Sequence, residues 1–138
     1  CRLDTLQAVI GNRLIGEASF ITEKRIDNAA SYDRQLSEIQ PFVEVPKRRK
    51  GVQHVYHLYM VRVQQRDNLL EHLQSNGIEA KVHYPIPIHK QKSCLNIKTD
   101  PNGLINSERH ATNCLSIPCY PNLQENDVQH IIDSINRF

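Results

Sequence analysis

The sequence predicts an α/β or α+β layer sandwich: a long N-terminal helix, then a small sheet of about three strands packed with helices. Three observations predict it. Apolar residues recur every three to four positions at both ends of the chain, and short β-branched or aromatic runs lie between them. The resulting order is helix, strand, helix, strand, helix, strand, helix.

Asp4-Thr5-Leu6-Gln7 reads as a capping box that opens the first helix, with the Asp4 carboxylate accepting from a first-turn amide and Gln7 reaching back. Leu3, Leu6, Ile10, Leu14, Ala18 and Ile21 keep helical spacing, which resumes at Ile26, Ala29, Ala30 and Leu36 before Pro41. Gly16 costs about 1 kcal/mol against alanine inside a helix, so a bend or break is expected there. A helix this long is expected to lean on a neighbouring domain.

"HVYHLYMVRV", residues 54–63, holds no breaker and predicts a strand. Val55, His57, Tyr59, Val61 and Val63 would share one face, and His54, Tyr56, Leu58, Met60 and Arg62 the other. Asp67 is placed to cap a short helix carrying Leu69, Leu70 and Leu73, which Asn76-Gly77 ends through a left-handed turn. A second strand is expected over Ile78–Tyr84, stopped by Pro85 and Pro87. Pro101-Asn102-Gly103 reads as a turn, Ser107–Cys114 as a short helix and "LSIPCY" as a third strand. Val128, Ile131, Ile132 and Ile135 then line one face of a closing helix.

With 138 residues, 39% hydrophobic and 23% charged, the chain fits one globular domain. The formal charge of +2 is too small for a nucleic-acid surface, and Lys47-Arg48-Arg49-Lys50, between Pro46 and Gly51, reads as a solvated turn. No apolar run is long enough for a bilayer, so no membrane partner is expected. Cys1, Cys94, Cys114 and Cys119 lack CxxC spacing and are expected to be reduced thiols of a cytoplasmic protein. The chain starts abruptly at "CRLDTLQA" without methionine, and is expected to be a piece of something longer.

The chemistry concentrates in "KVHYPIPIHKQ", residues 81–91. His83, Tyr84 and His89 flank two prolines at a strand end, where α/β architectures gather ligand groups. Equally, His83 could cap a sheet edge and Tyr84 sit in the core, with the prolines merely ending a strand. His54 and His57 would point to opposite faces of a strand, so no metal is expected there. No nucleophile elbow, GxGxxG or Walker pattern occurs.

"RLDTLQAVI", "HVYHLYMVRV", "LLEHLQSNGIEAKVHYPIPIHKQ" and "LSIPCYPNL" before a terminal helix, in that order, resemble the C-terminal part of the DegT/StrS family. These are pyridoxal-phosphate (PLP) dependent sugar aminotransferases. The resemblance implies that residues 1–138 are the C-terminal small domain of a fold-type-I aminotransferase. The large domain, with its PLP lysine, would be absent from this chain. It implies a dimeric enzyme of deoxysugar biosynthesis, for lipopolysaccharide or antibiotic sugars. Such an enzyme takes an amino group from glutamate to a keto group of a dTDP- or UDP-linked sugar, with 3-keto favoured over 4-keto. The lysines at 24, 47, 50, 81, 90, 92 and 98 fall outside the family's cofactor-lysine context, so no catalytic residue is expected here.

Arg2 matches the arginine of the family's Asn-x-Arg-Leu motif, similar to a group that reaches across the dimer toward phosphate or substrate. His83, Tyr84 and His89 match the His-Tyr-Pro-x-Pro-x-His loop that closes over the active site, which makes all four candidate substrate-binding residues. Prolines would reduce the entropy lost in holding these polar groups. The family often caps its last helix with Ser or Thr, where this chain has Gln124 with Asn122 nearby. The alternative is a stand-alone, PLP-free binding module whose basic run meets nucleic acid or an acidic partner.

Overall fold

A computed structural model describes residues 3–39, 41–94, 96, 98 and 100–138. Arg2 and Cys1 therefore lie outside the described residues. The first helix, α1 (Thr5–Ile15), opens on the expected box: the Gln7 amide donates to Asp4 Oδ1 at 2.8 Å and the Asp4 amide to Gln7 Oε1 at 3.2 Å. It ends at a turn through Gly16 and Glu17, and α2 (Ala18–Leu36) follows, so the expected long helix is two. None of α1 is buried, whereas α2 buries Ala29, Tyr32 and Leu36. Tyr32 takes the place foreseen for Ala30, which is exposed, because its hydroxyl reaches the Pro118 carbonyl at 2.9 Å.

Three antiparallel strands lie in the order β1 (Val43–Glu44), β2 (Tyr59–Val63), β3 (Cys114–Ile117). Val43 pairs with Val63, and Val61 with Leu115. The strand expected over 54–63 is confined to its second half. Tyr56 turns into the left-handed region (φ 46°) and donates its amide to His54 Nδ1 at 2.9 Å, while Arg25 takes the carbonyls of Tyr56 and His57 at 2.8 and 2.9 Å. Side chains have satisfied the backbone that a ladder would have used. The strand expected over Ile78–Tyr84 reduces to one antiparallel bridge, Lys81 to Ser116. Its partner β3 is four residues long and is followed by Pro118, which has no amide to donate.

Helix α3 (Arg66–Ser75) starts one residue before Asp67, whose carboxylate pairs with Arg66 instead of capping. It ends as expected, with Gly77 at φ 76° and the Ile78 amide on the Leu73 carbonyl at 2.9 Å. Helix α4 (Ile105–Asn113) begins two residues earlier than expected and hands Cys114 to β3. The turn before it is closed by Asp100, which accepts the Asn102 amide on Oδ1 at 2.8 Å and the Gly103 amide on its carbonyl at 2.9 Å. Helix α5 (Glu125–Asn136) buries all four foreseen residues, and at its start Asp127 accepts the Gln124 amide at 3.2 Å.

Tyr59, Val61 and Val63 alternate toward one face of the sheet, where they join buried residues of α2, α3 and α5 in one core. Met60 faces the other way, toward α4. That second, thinly covered face is where the loop after Lys81 runs.

Candidate functional site

Between this face of the sheet, α4 and the 83–91 loop opens a cleft of about 690 Å³. Met60 and Cys114 line its floor, and His83, Tyr84 and His89 all line it from the loop. Pro85 and Pro87 shape the loop, which closes in a short helical turn at Ile88–Lys90, with the Lys90 amide on the Pro87 carbonyl at 2.9 Å. The structure thus gathers three of the four sequence-predicted residues in one place; Arg2 lies outside the described residues.

Their environments differ. The His83 ring is half-buried, its Nδ1 is 3.0 Å from the hydroxyl of Ser116 on β3, and its carbonyl accepts from the Cys114 thiol. His89 Nε2 lies 3.1 Å from Glu108 Oε1 on α4, and Lys90 Nζ lies 2.8 Å from Glu108 Oε2. Hydrogen bonds from Lys90 and then His89 hold the Glu108 carboxyl below its ordinary range. Tyr84 meets the His83 ring edge-on at 5.6 Å, yet is 74% exposed; Ile86 and Ile88 are exposed as well, and all three lie outside the core. Two histidines are therefore anchored, each with one ring nitrogen engaged, and one phenol projects between them. Such a loop can present donors and apolar surface to a bound molecule without first having to order itself.

Burial raises the Cys114 thiol, and pushes Cys119 up to about 11, so neither is activated as a nucleophile. Cys94, Cys114 and Cys119 are free. Among the described residues no group of three His, Cys, Asp or Glu is placed to hold a metal, and no helix is long and apolar enough to cross a membrane.

Glu108 and Ser116 escaped the sequence reading, since they stand 19 and 33 residues from the histidines they hold. A second network was also missed. Arg48 is no solvated turn residue: its guanidinium forks onto Asp33 of α2 and lies over the rings of Tyr56 and Tyr59, 5.1 and 5.4 Å from their centroids. Tyr59 donates its hydroxyl to Asp33 at 2.7 Å. Burial alone would raise the Asp33 carboxyl, but the hydrogen bonds from Arg48 and Tyr59 outweigh it and hold that carboxyl below its usual value.

Residues 1–136 match the DegT/DnrJ/EryC1/StrS aminotransferase family. A "Pleiotropic regulatory protein" of Geobacillus stearothermophilus is 35% identical over 138 residues, 99% of this chain and 37% of the relative. A dTDP-3-amino-3,6-dideoxy-alpha-D-galactopyranose transaminase of Aneurinibacillus thermoaerophilus is 30% identical over 137 residues, again 99% of this chain and 37% of the relative. The crystal structure of a DegT DnrJ EryC1 StrS aminotransferase from Brucella abortus superposes with a TM-score of 0.93 at 31% identity, covering 99% of this chain and 36% of that one. The chain thus spans little more than a third of the length of these relatives.

Proposed function

The chain belongs to the DegT/DnrJ/EryC1/StrS aminotransferase family, and on that premise we propose that residues 1–138 are the C-terminal small domain of a PLP-dependent nucleotide-sugar aminotransferase. The enzyme takes an amino group from glutamate and places it on a keto carbon of a dTDP- or UDP-linked deoxysugar. Position 3 is favoured, because the Aneurinibacillus relative is named for a sugar that carries its amino group there. The observation that carries the reading is the loop 83–91, which matches the family's motif and lines the cleft with His83, Tyr84 and His89.

When bound, PLP supplies the electron sink for amino transfer. The described residues do not fit that group, which needs a sheltered lysine, an acid opposite its ring nitrogen and a cradle for its phosphate. Lys98, which lines the cleft, and Lys90, on its loop, are both exposed, and Lys90 already pairs with Glu108. Among the described residues no glycine lines the cleft. The reading therefore assigns the cofactor to polypeptide outside these residues, in a homodimer where Arg2 reaches an oxyanion from the neighbouring subunit.

What this chain contributes is recognition. With His83 Nδ1 engaged by Ser116 and His89 Nε2 by Glu108, the opposite ring nitrogens and the Tyr84 hydroxyl, which hold no hydrogen bond among the described residues, are the groups offered to the sugar. The test is the full-length protein with PLP, glutamate and 3-keto or 4-keto sugars on dTDP and UDP, read by mass spectrometry. An aminated 3-keto product is expected. A full-length protein that binds PLP yet aminates none of them overturns the reading.

A second reading, a regulatory or binding protein of the same fold, is favoured by the name of the Geobacillus relative. Retention of a regulatory target by a full-length protein that cannot transaminate would select it.

A further inference from the structure

We propose that Glu108 is the positioning residue of the 83–91 loop, a single carboxylate on α4 that takes His89 through one oxygen and Lys90 through the other. It thereby sets the distance between the loop and α4 across the cleft. The inference rests on the reading above, in which this loop meets the sugar.

The argument starts from how the loop is fastened. Within it, hydrogen bonds are local, from the Lys90 amide to the Pro87 carbonyl and from the Gln91 amide to the Ile88 carbonyl. Among the described residues, apart from the Cys94 amide on the Gln91 carbonyl at 2.8 Å just past its end, the hydrogen bonds and ion pairs that leave the loop run to two places. At its start, His83 is tied to β3 through Ser116 Oγ at 3.0 Å and the Cys114 thiol. At its far end, His89 Nε2 and Lys90 Nζ meet Glu108 at 3.1 and 2.8 Å. Everything between, Tyr84 and Ile86 included, is slung between a strand anchor and a helix anchor.

The far anchor is asymmetric. His89 is nearly buried, with 15% of its side chain exposed, while Lys90 and Glu108 face solvent. The histidine supplies geometry and the lysine supplies charge, and a carboxylate can satisfy both because it has two oxygens. On a neighbouring face the same helix brings Asn106, Ser107 and His110 to the cleft. A shift of Glu108 would therefore move the loop relative to the opposite wall, so its removal is read in sugar affinity more than in the chemical step.

The test uses the full-length holoenzyme carrying Glu108→Ala, Glu108→Gln or Lys90→Met, with hydrogen exchange of the 84–91 peptides measured beside steady-state kinetics. Loss of a partly exposed pair predicts about three- to tenfold faster exchange in Glu108→Ala and a similar rise in KM for the nucleotide sugar. The turnover number should change less than about twofold. Glu108→Gln, which still accepts hydrogen bonds, should recover part of both, and Lys90→Met should move both in the same direction by less. Thermal melts confirm that the variants fold, as expected for a residue at the surface.

Unchanged exchange in Glu108→Ala overturns the proposal, whether or not KM rises; a rise alone would mean that Glu108 touches the sugar itself. A fall in turnover at constant KM also overturns it. If wild type aminates no keto sugar while loop exchange still rises in Glu108→Ala, the positioning role stands and the aminotransferase reading is what fails.

Discussion

Tyr84 and His83 are neighbours with opposite expectations. Tyr84 is exposed and His83 holds the hydroxyl of Ser116, a residue only 4% exposed. In the full-length enzyme Tyr84→Phe should raise KM for the sugar about three- to tenfold, one neutral hydrogen bond's worth, without changing thermal stability. His83→Ala should raise it too, and in addition cost about 1–3 kcal/mol of stability, because a buried hydroxyl loses its partner. Equal melting points for these two variants would defeat the division of roles. Asp33 carries a separate expectation, in pH. Its folded carboxyl lies below the ordinary 3.8, so its pairing with Arg48 and Tyr59 stabilises the fold above that value and is lost as pH falls through the folded one. Asp33→Asn should therefore cost about 1–2 kcal/mol at neutral pH, and its denaturant midpoint should converge with wild type below about pH 4. Divergence on acidification would reverse the sign. The loop stands out in the sequence because two prolines among histidines are rare punctuation, but the family resemblance, not the residue types, made it a candidate site. Its anchors do not stand out, because nothing local marks Glu108 or Ser116 as the partner of a histidine so far along the chain.

Among the elements, those ruled by their own periodicity were legible: α5 and its four buried residues, the capping box of α1, the break near Gly16 and the Gly77 stop of α3. Those ruled by distant side chains were not. Residues 54–58 have strand composition, yet Arg25 from α2 takes their carbonyls, and the Ile78–Tyr84 segment finds only one residue's length of partner. Helix α1 tests the reading at this scale. Leu3, Leu6, Val9, Ile10, Leu14 and Ile15 are all exposed, with Leu6 at 70%, and apolar positions on more than one side are the pattern of a helix meant to be covered. The isolated chain should associate with rising concentration, as exposed patches of this kind do. Leu6→Lys with Ile10→Lys should shift it toward monomer without lowering its melting point, since neither residue is in the core. A strict monomer at high concentration, with α1 amides fully protected from exchange, would sink this account.

At the scale of the whole molecule, a fold that matches its family nearly end to end sits beside a cleft that lacks the cofactor's requirements. The family comparisons cover 99% of this chain but little more than a third of the relatives, so likeness of fold says nothing of where the cofactor lysine lies. The decisive quantity is the reactivity of this chain's own lysines. A lysine used for cofactor attachment works because a sheltered site lowers the cost of its neutral form. Lys90 is exposed and paired to a carboxylate, Lys98 is exposed, and neither meets that condition. PLP mixed with residues 1–138 and treated with borohydride should therefore label lysines only weakly and without preference, as free amines are labelled. The full-length protein under the same treatment should be labelled once per subunit, at a lysine outside these residues. Stoichiometric labelling of a single lysine within residues 1–138 would put the cofactor in this cleft, and the assignment of its site to the rest of the polypeptide would be wrong.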